Sequence, residues 1–137
     1  MRVFMSPSWI SFSGDASASL DEEKCGKWMY FFSDKKFVGN LCEDAIRTNV
    51  VSDCKHSNAE SGVACFYLNF DDVEAHKKIL LYFLEHKLIQ RTKTGKLYNI
   101  SFKLDNQTRA GEYGSEFKSD ITLSKFVDLK TGEWLLQ

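Results

Sequence analysis

Apolar positions along the chain fall into short blocks and spaced stripes. Trp28-Met29-Tyr30-Phe31-Phe32 is an aromatic block bounded by Gly26 and by Ser33-Asp34, and Val63-Ala64-Cys65-Phe66-Tyr67-Leu68 is a second block opened by Gly62. Both are short, rich in aromatic and branched side chains and flanked by turn residues, which predicts buried strands. Residues 1–5 predict a short first strand. Residues 6–19 hold six serines and predict a long loop that tucks Trp9, Ile10 and Phe12 inward. From Asp34 to about Val50, Phe37, Leu41, Ala45 and Ile46 recur at helical spacing, with Asp34 as the cap. The polar stretch 52–62 predicts a loop. Asp71, with Glu74 three residues on, predicts the N-cap of a second helix, Asp72 to about His86, with Val73, Leu80, Phe83, Leu84 and Leu88 on its apolar face.

Beyond that helix the period changes. Residues 88–92 and 97–104 flank Lys93-Thr94-Gly95-Lys96, and Tyr98, Ile100, Phe102 and Leu104 alternate with Leu97, Asn99, Ser101 and Lys103, which predicts a hairpin with one core face and one wet face. Residues 121–129 and 134–136 flank Lys130-Thr131-Gly132-Glu133 and predict another. The expected order is β-β-α-β-α-β-β-β-β. The expected architecture is a single α+β domain over residues 1–137: a mostly antiparallel or mixed sheet, two helices packed on one face, and a hairpin-rich C-terminal half.

Composition narrows the class. The chain has 137 residues, 43% of them hydrophobic, with one proline and eight glycines, so it can bury a core and is neither low-complexity nor collagen-like. Its longest apolar run, residues 79–84, falls far short of the roughly 20 residues that span a bilayer, so no membrane helix is expected. Ala16-Ser17-Ala18 imitates a signal cleavage site, but Ser6, Pro7, Ser8, Ser11 and Ser13 break the apolar stretch that a signal needs. Cys25, Cys42, Cys54 and Cys65 form no close pair, which fits reduced thiols in a cytoplasmic protein.

Charge changes the picture more. The net value of −1 hides an acidic residue range 1–74, with 7 basic and 12 acidic side chains, and a basic range 75–137, with 11 and 7. Between Lys87 and Leu104 there are five basic residues, Lys87, Arg91, Lys93, Lys96 and Lys103, and no acidic one. Such a stretch attracts an acidic protein or a nucleic acid, or simply guards a sheet edge.

Candidate chemistry concentrates in residues 103–114. That segment supplies Lys103, Asp105, Asn106, Arg109, Glu112 and Tyr113 beside two glycines. Arg109 offers a bidentate fork and Tyr113 a stacking ring, suited to a nucleotide or to a protein interface, where both residue types concentrate binding energy. No phosphate-binding motif is present. Cys54 and His56, with Cys42 and Cys65, are soft ligands at spacings unlike those of structural zinc, so no metal or other cofactor is expected. His76 and Asp72 could form an acid/base pair or a surface i, i+4 contact. His86 sits where a helix C-terminus would favour it.

Residues 62–69, 98–105 and Thr131-Gly132-Glu133-Trp134 resemble small proteins carried by bacterial phages and mobile elements. The resemblance implies a protein that acts by occupying the surface of a host protein, including the nucleic-acid-binding effectors of bacterial defence, as anti-CRISPR proteins do. The expected function is thus non-catalytic protein binding through Asn99, Asn106, Arg109, Glu112 and Tyr113, with Lys93, Lys96 and Lys103 steering. A nucleotide-binding or nucleotide-processing enzyme using residues 103–114 is the alternative. A nucleic-acid-binding protein using the basic 87–104 hairpin is the third.

Overall fold

The computed structural model describes residues 1–14, 20–105 and 121–135. Its strands are β1 (Arg2–Met5), β2 (Trp9–Ser13), β3 (Cys25–Phe32), β4 (Asp53–Ser57), β5 (Gly62–Asn69) and β6 (Lys103–Leu104). Helix α1 (Lys35–Arg47) follows β3, and α2 (Val73–Glu85) follows β5. All six strands join one sheet in the order β1-β2-β4-β5-β3-β6, and every neighbouring pair is antiparallel. The α+β class and the antiparallel sheet with two helices are therefore as expected.

Connectivity explains the order. β3 and β4 both run antiparallel to β5, which lies between them, so β3-α1-β4 is a crossover later filled by β5. β5-α2-β6 is the same device with β3 in the middle. The two crossovers interlock as a split β-α-β pair, and the β1–β2 hairpin extends the sheet beyond β4.

Cross-strand register defines the core. Phe12 pairs with Cys54, Cys54 with Phe66 and Phe66 with Trp28, so one rung of the sheet presents four side chains to the same side, and all are buried. Both helices cover that face. The Cys54 thiol donates to the Cys42 carbonyl of α1, while Phe83 and His76 of α2 pack edge-on against Phe66 and Trp28. Each helix buries five residues. At about 1.5–3 kcal/mol for each large apolar side chain removed from water, this packing stabilises 13-residue helices that would be marginal in isolation.

Both helices end in the same way. Asn49 (φ 60°) and Lys87 (φ 56°) adopt left-handed backbone just past the C-caps, and Val50 N–H to Ala45 O and Leu88 N–H to Phe83 O close matching Schellman turns. At the start of α2 the cap is Asp72, whose carboxylate accepts from Ala75 N, and not Asp71, which pairs with Lys24 at 2.8 Å.

Several expectations are corrected. The serine-rich stretch contains β2, because Ser11 and Ser13 alternate with Ile10 and Phe12 and turn to the side away from the helices. The polar stretch 52–62 contains β4, where Cys54 and His56 turn inward between Asp53, Lys55 and Ser57. Val73 and Phe37 are exposed, and the buried stripes run instead through His76 and Ile79 in α2 and through Val38 and Cys42 in α1.

The two C-terminal hairpins reduce to isolated bridges, Arg91 to Leu97 and Val127 to Trp134, with a 3-10 turn at Leu123–Lys125. Leu97 is buried and Tyr98 exposed, the reverse of the expectation at these two positions, while Phe102 is buried and Asn99 and Lys103 exposed as expected; residues 97–102 bond irregularly to residues 121–123 and to Leu129 rather than lying in a ladder. Gly95 (φ 87°) and Gly132 (φ 77°) do supply the left-handed residue of each Lys-Thr-Gly turn. Asn106, Arg109, Glu112 and Tyr113 lie outside the described residues.

Candidate functional site

β3 is eight residues long, yet on its outer side β6 reaches only Gly26 and Lys27. Gly26 makes that meeting possible: a Cβ there would collide with the Phe102 ring and the Lys103 carbonyl oxygen. From Trp28 to Phe32 the outer edge of β3 has no partner strand among the described residues. Beside it the chain from Leu88 to Lys103 bends away and leaves an open cleft of about 490 Å³.

The cleft has an apolar floor and a mixed rim. Leu88 and Ile89, just after α2, are buried beneath it, while Phe31 and Tyr98 stand 70% and 48% exposed on its walls. Phe31 faces outward because β3 alternates: Trp28 and Phe32 enter the core, so the odd-numbered residues between them point to the other side. Tyr98 is held by its N–H bond to Gln90 O, and a tight turn at Asn99 follows, closed by Ile100 N–H to Tyr98 O. Lys103 stands at the end of the cleft nearest β6.

Of the expected binding residues, the structure brings Asn99 and Lys103 to this cleft. The Asn99 Oδ1 already accepts from Ser124 N at 2.8 Å, so its carbonyl ties residue 99 to the 3-10 turn. Lys93 and Lys96 are exposed on the 92–96 turn and do not line the cleft. Met29, Phe31, Leu88 and Ile89 are the wall residues that sequence reasoning missed. An unbroken run such as 28–32 hides the alternation that separates a core face from an exposed one.

The open face of the sheet is charged but internally paired. Lys27 and Asp105 form a largely buried ion pair at 2.7 Å, and the Lys55 ammonium sits 3.9 Å above the centre of the Trp9 ring and 6.0 Å from that of Tyr67. Burial raises the pKa of the Tyr67 hydroxyl and of the Cys65 thiol, so both stay protonated at neutral pH.

The remaining candidate groups are structural. Cys65 lies on the open face, whereas Cys54 and His56 point at α1, so the sheet divides the suggested zinc set. Among the described residues no three such side chains are placed to hold a metal. The Cys54 thiol is held protonated by its neighbour Cys42 and by burial. His76 is neither a surface residue nor half of an acid/base pair: it is buried, with Trp28 Nε1–H donating to its Nδ1 at 3.0 Å and its Nε2–H donating to Phe70 O at 2.8 Å. His86 caps α2 and donates from Nδ1 to Tyr82 O.

No family model, curated protein or solved structure matches the chain. Among the described residues, no helix is long and apolar enough to cross a membrane. The cleft brings together a backbone edge, two exposed rings, an apolar floor and a lysine.

Proposed function

We propose that the protein is a non-catalytic binding module that seats an extended, acidic segment of a partner protein along β3. The observation that carries this reading is the outer edge of β3, unpartnered from Trp28 to Phe32 among the described residues and facing a cleft walled by Phe31 and Tyr98. An added strand gains its affinity from main-chain hydrogen bonds and its selectivity from pockets for alternate side chains. Exposed aromatic rings beside an apolar floor are the usual anchors of such contacts. Lys103 at the cleft and Lys87, Arg91, Lys93 and Lys96 nearby in sequence favour acidic residues in the partner.

The resemblance to accessory proteins of phages and mobile elements supports a bacterial host protein as that partner, and a defence nuclease of the kind that anti-CRISPR proteins block is the specific candidate.

The test is capture from a bacterial lysate on immobilised wild type and on a Phe31→Ser/Tyr98→Ala variant, with retained proteins identified by mass spectrometry and their affinities then measured with purified components. The wild type is expected to retain a partner that the variant binds at least tenfold more weakly. Equal retention by both would remove the cleft from the function. Loss of the partner on nuclease treatment would transfer the reading to nucleic acid.

A further inference from the structure

The opposite edge of the sheet carries a second interaction surface. Among the described residues β1 is its outermost strand, and all of its residues are exposed, with Val3 at 53%, Phe4 at 71% and Met5 at 66%. Natural sheets blunt such edges with lysine, proline, a bulge or shortening. β6, at the other edge, follows that rule with two residues and Lys103. β1 does not: Arg2 is its one charge, and Pro7 lies past its end in the turn to β2.

The register shows what fits there. Ser6 N–H bonds to Trp9 O at 2.8 Å, which makes Ser6 and Trp9 a hydrogen-bonded pair. Such pairs alternate along an antiparallel ladder, so Phe4 with Ser11 and Arg2 with Ser13 are also hydrogen-bonded pairs, and the backbone groups of Val3 and Met5 point outward. Two outward residues spaced two apart are self-complementary. Laid antiparallel, Val3 of one copy meets Met5 of the other, and every outward N–H and C=O of both residues is paired.

Phe4 then stands opposite its counterpart as a close, non-hydrogen-bonded pair on the side away from the helices, while Val3 packs on Met5 on the helix side. Antiparallel placement also keeps the two Arg2 side chains at opposite ends, where a parallel one would set them together.

We propose that two copies of this chain pair through β1 into a twofold dimer with one continuous antiparallel sheet. The contact uses up both β1 edges and so closes, without growing into a fibre. Its exposed apolar side chains offer on the order of 400 Å² per copy. The total falls below the roughly 1,200 Å² of a standard interface, which is the size class of weak, dissociable contacts. It lies on the other edge of the sheet from the β3 cleft, so the two surfaces work independently.

Sedimentation velocity from about 2 to about 200 µM tests this. The wild type is expected to shift from monomer to dimer across that range, and Phe4→Lys, which sets two ammonium groups face to face, to weaken pairing at least tenfold. Val3→Pro, whose lost N–H points outward, should act in the same way without touching the β1–β2 ladder, and circular dichroism checks that each variant is folded. Phe4→Cys should form a disulfide-linked dimer under mild oxidation, because close pairs place Cα atoms about 4.5 Å apart. Arg2→Cys should not, since its counterpart lies at the far end of the paired strands. A wild type that stays monomeric throughout would leave this edge to another protein's strand and overturn the proposal. So would a dimer unaffected by both Phe4→Lys and Val3→Pro, or one that cross-links as readily through Arg2→Cys.

Discussion

His76 holds a partner on each ring nitrogen, and both bonds require the neutral imidazole in a single tautomer. Its ring stacks on Phe126 at 5.1 Å and meets Trp28 and Phe102 edge-on, so protonation would place a charge among aromatic rings. Burial holds its pKa below the ordinary histidine value, outweighing the opposite pull of the Phe70 carbonyl and Asp72. The sign follows from linkage. Below about pH 6.5 the unfolded chain takes up a proton that the native state refuses, so stability is full above that pH and declines as the pH falls through the window beneath it. Urea unfolding at about pH 7.5 and 5.5 should show this decline, at no more than about 1.4 kcal/mol per pH unit from this one group. His76→Phe is expected to lower stability by about 2–4 kcal/mol, since Trp28 Nε1 and Phe70 O both lose their partner, and to flatten the slope. Equal slopes in the two proteins would sink the assignment.

The helices were the most legible elements, because cap chemistry and a 3.6-residue period are local signals. The second cap nonetheless lies one residue beyond the expected Asp71. Asp71 and Asp72 are chemically equivalent, and only the backbone decides between them: Asp72 has the non-helical φ and ψ, and its carboxylate reaches Ala75 N at 3.1 Å. Asp72→Ala should therefore cost about 1 kcal/mol in chemical denaturation, and Asp71→Ala distinctly less, because its exposed pair with Lys24 is screened by solvent. The reverse order would make Asp71 the cap. Among the strands, β3 and β5 are evident as unbroken apolar runs that supply Trp28, Phe32, Phe66 and Leu68 to the core. β2 and β4 are not, since half their residues are polar and face the side without helices, so each resembles a loop in composition. Residues 97–102 failed in the opposite sense: they alternate like a strand but are fixed by scattered bonds to residues 121–129 that no local signal announces.

At the level of the whole molecule the division of charge along the sequence does not survive as two opposed halves. Lys27 and Lys55 come from the acidic range, yet share the open face with Lys103, and Asp105 from the basic range neutralises Lys27. What persists is the uninterrupted basic stretch from Lys87 to Lys103, which runs from the end of α2 past the cleft. Of the residues in this stretch that the sequence marks for binding, Lys93, Lys96, Asn99 and Lys103, only Asn99 and Lys103 line the cleft, and its walls are invisible in the sequence because they assemble from β3 and from residues after α2. If Lys93 and Lys96 steer an acidic partner, their effect belongs to the encounter and not to the bound state, because both stand away from the cleft walls. Replacing Lys93 and Lys96 with Glu should leave the melting temperature within about 3 °C of wild type. It should slow association with the captured partner at least tenfold at low salt, with the dissociation rate changing less. The difference should shrink as ionic strength rises and the screening length falls below about 8 Å. A stopped-flow salt series on both proteins measures this, and equal association rates at low salt would confine the lysines to solvating the surface.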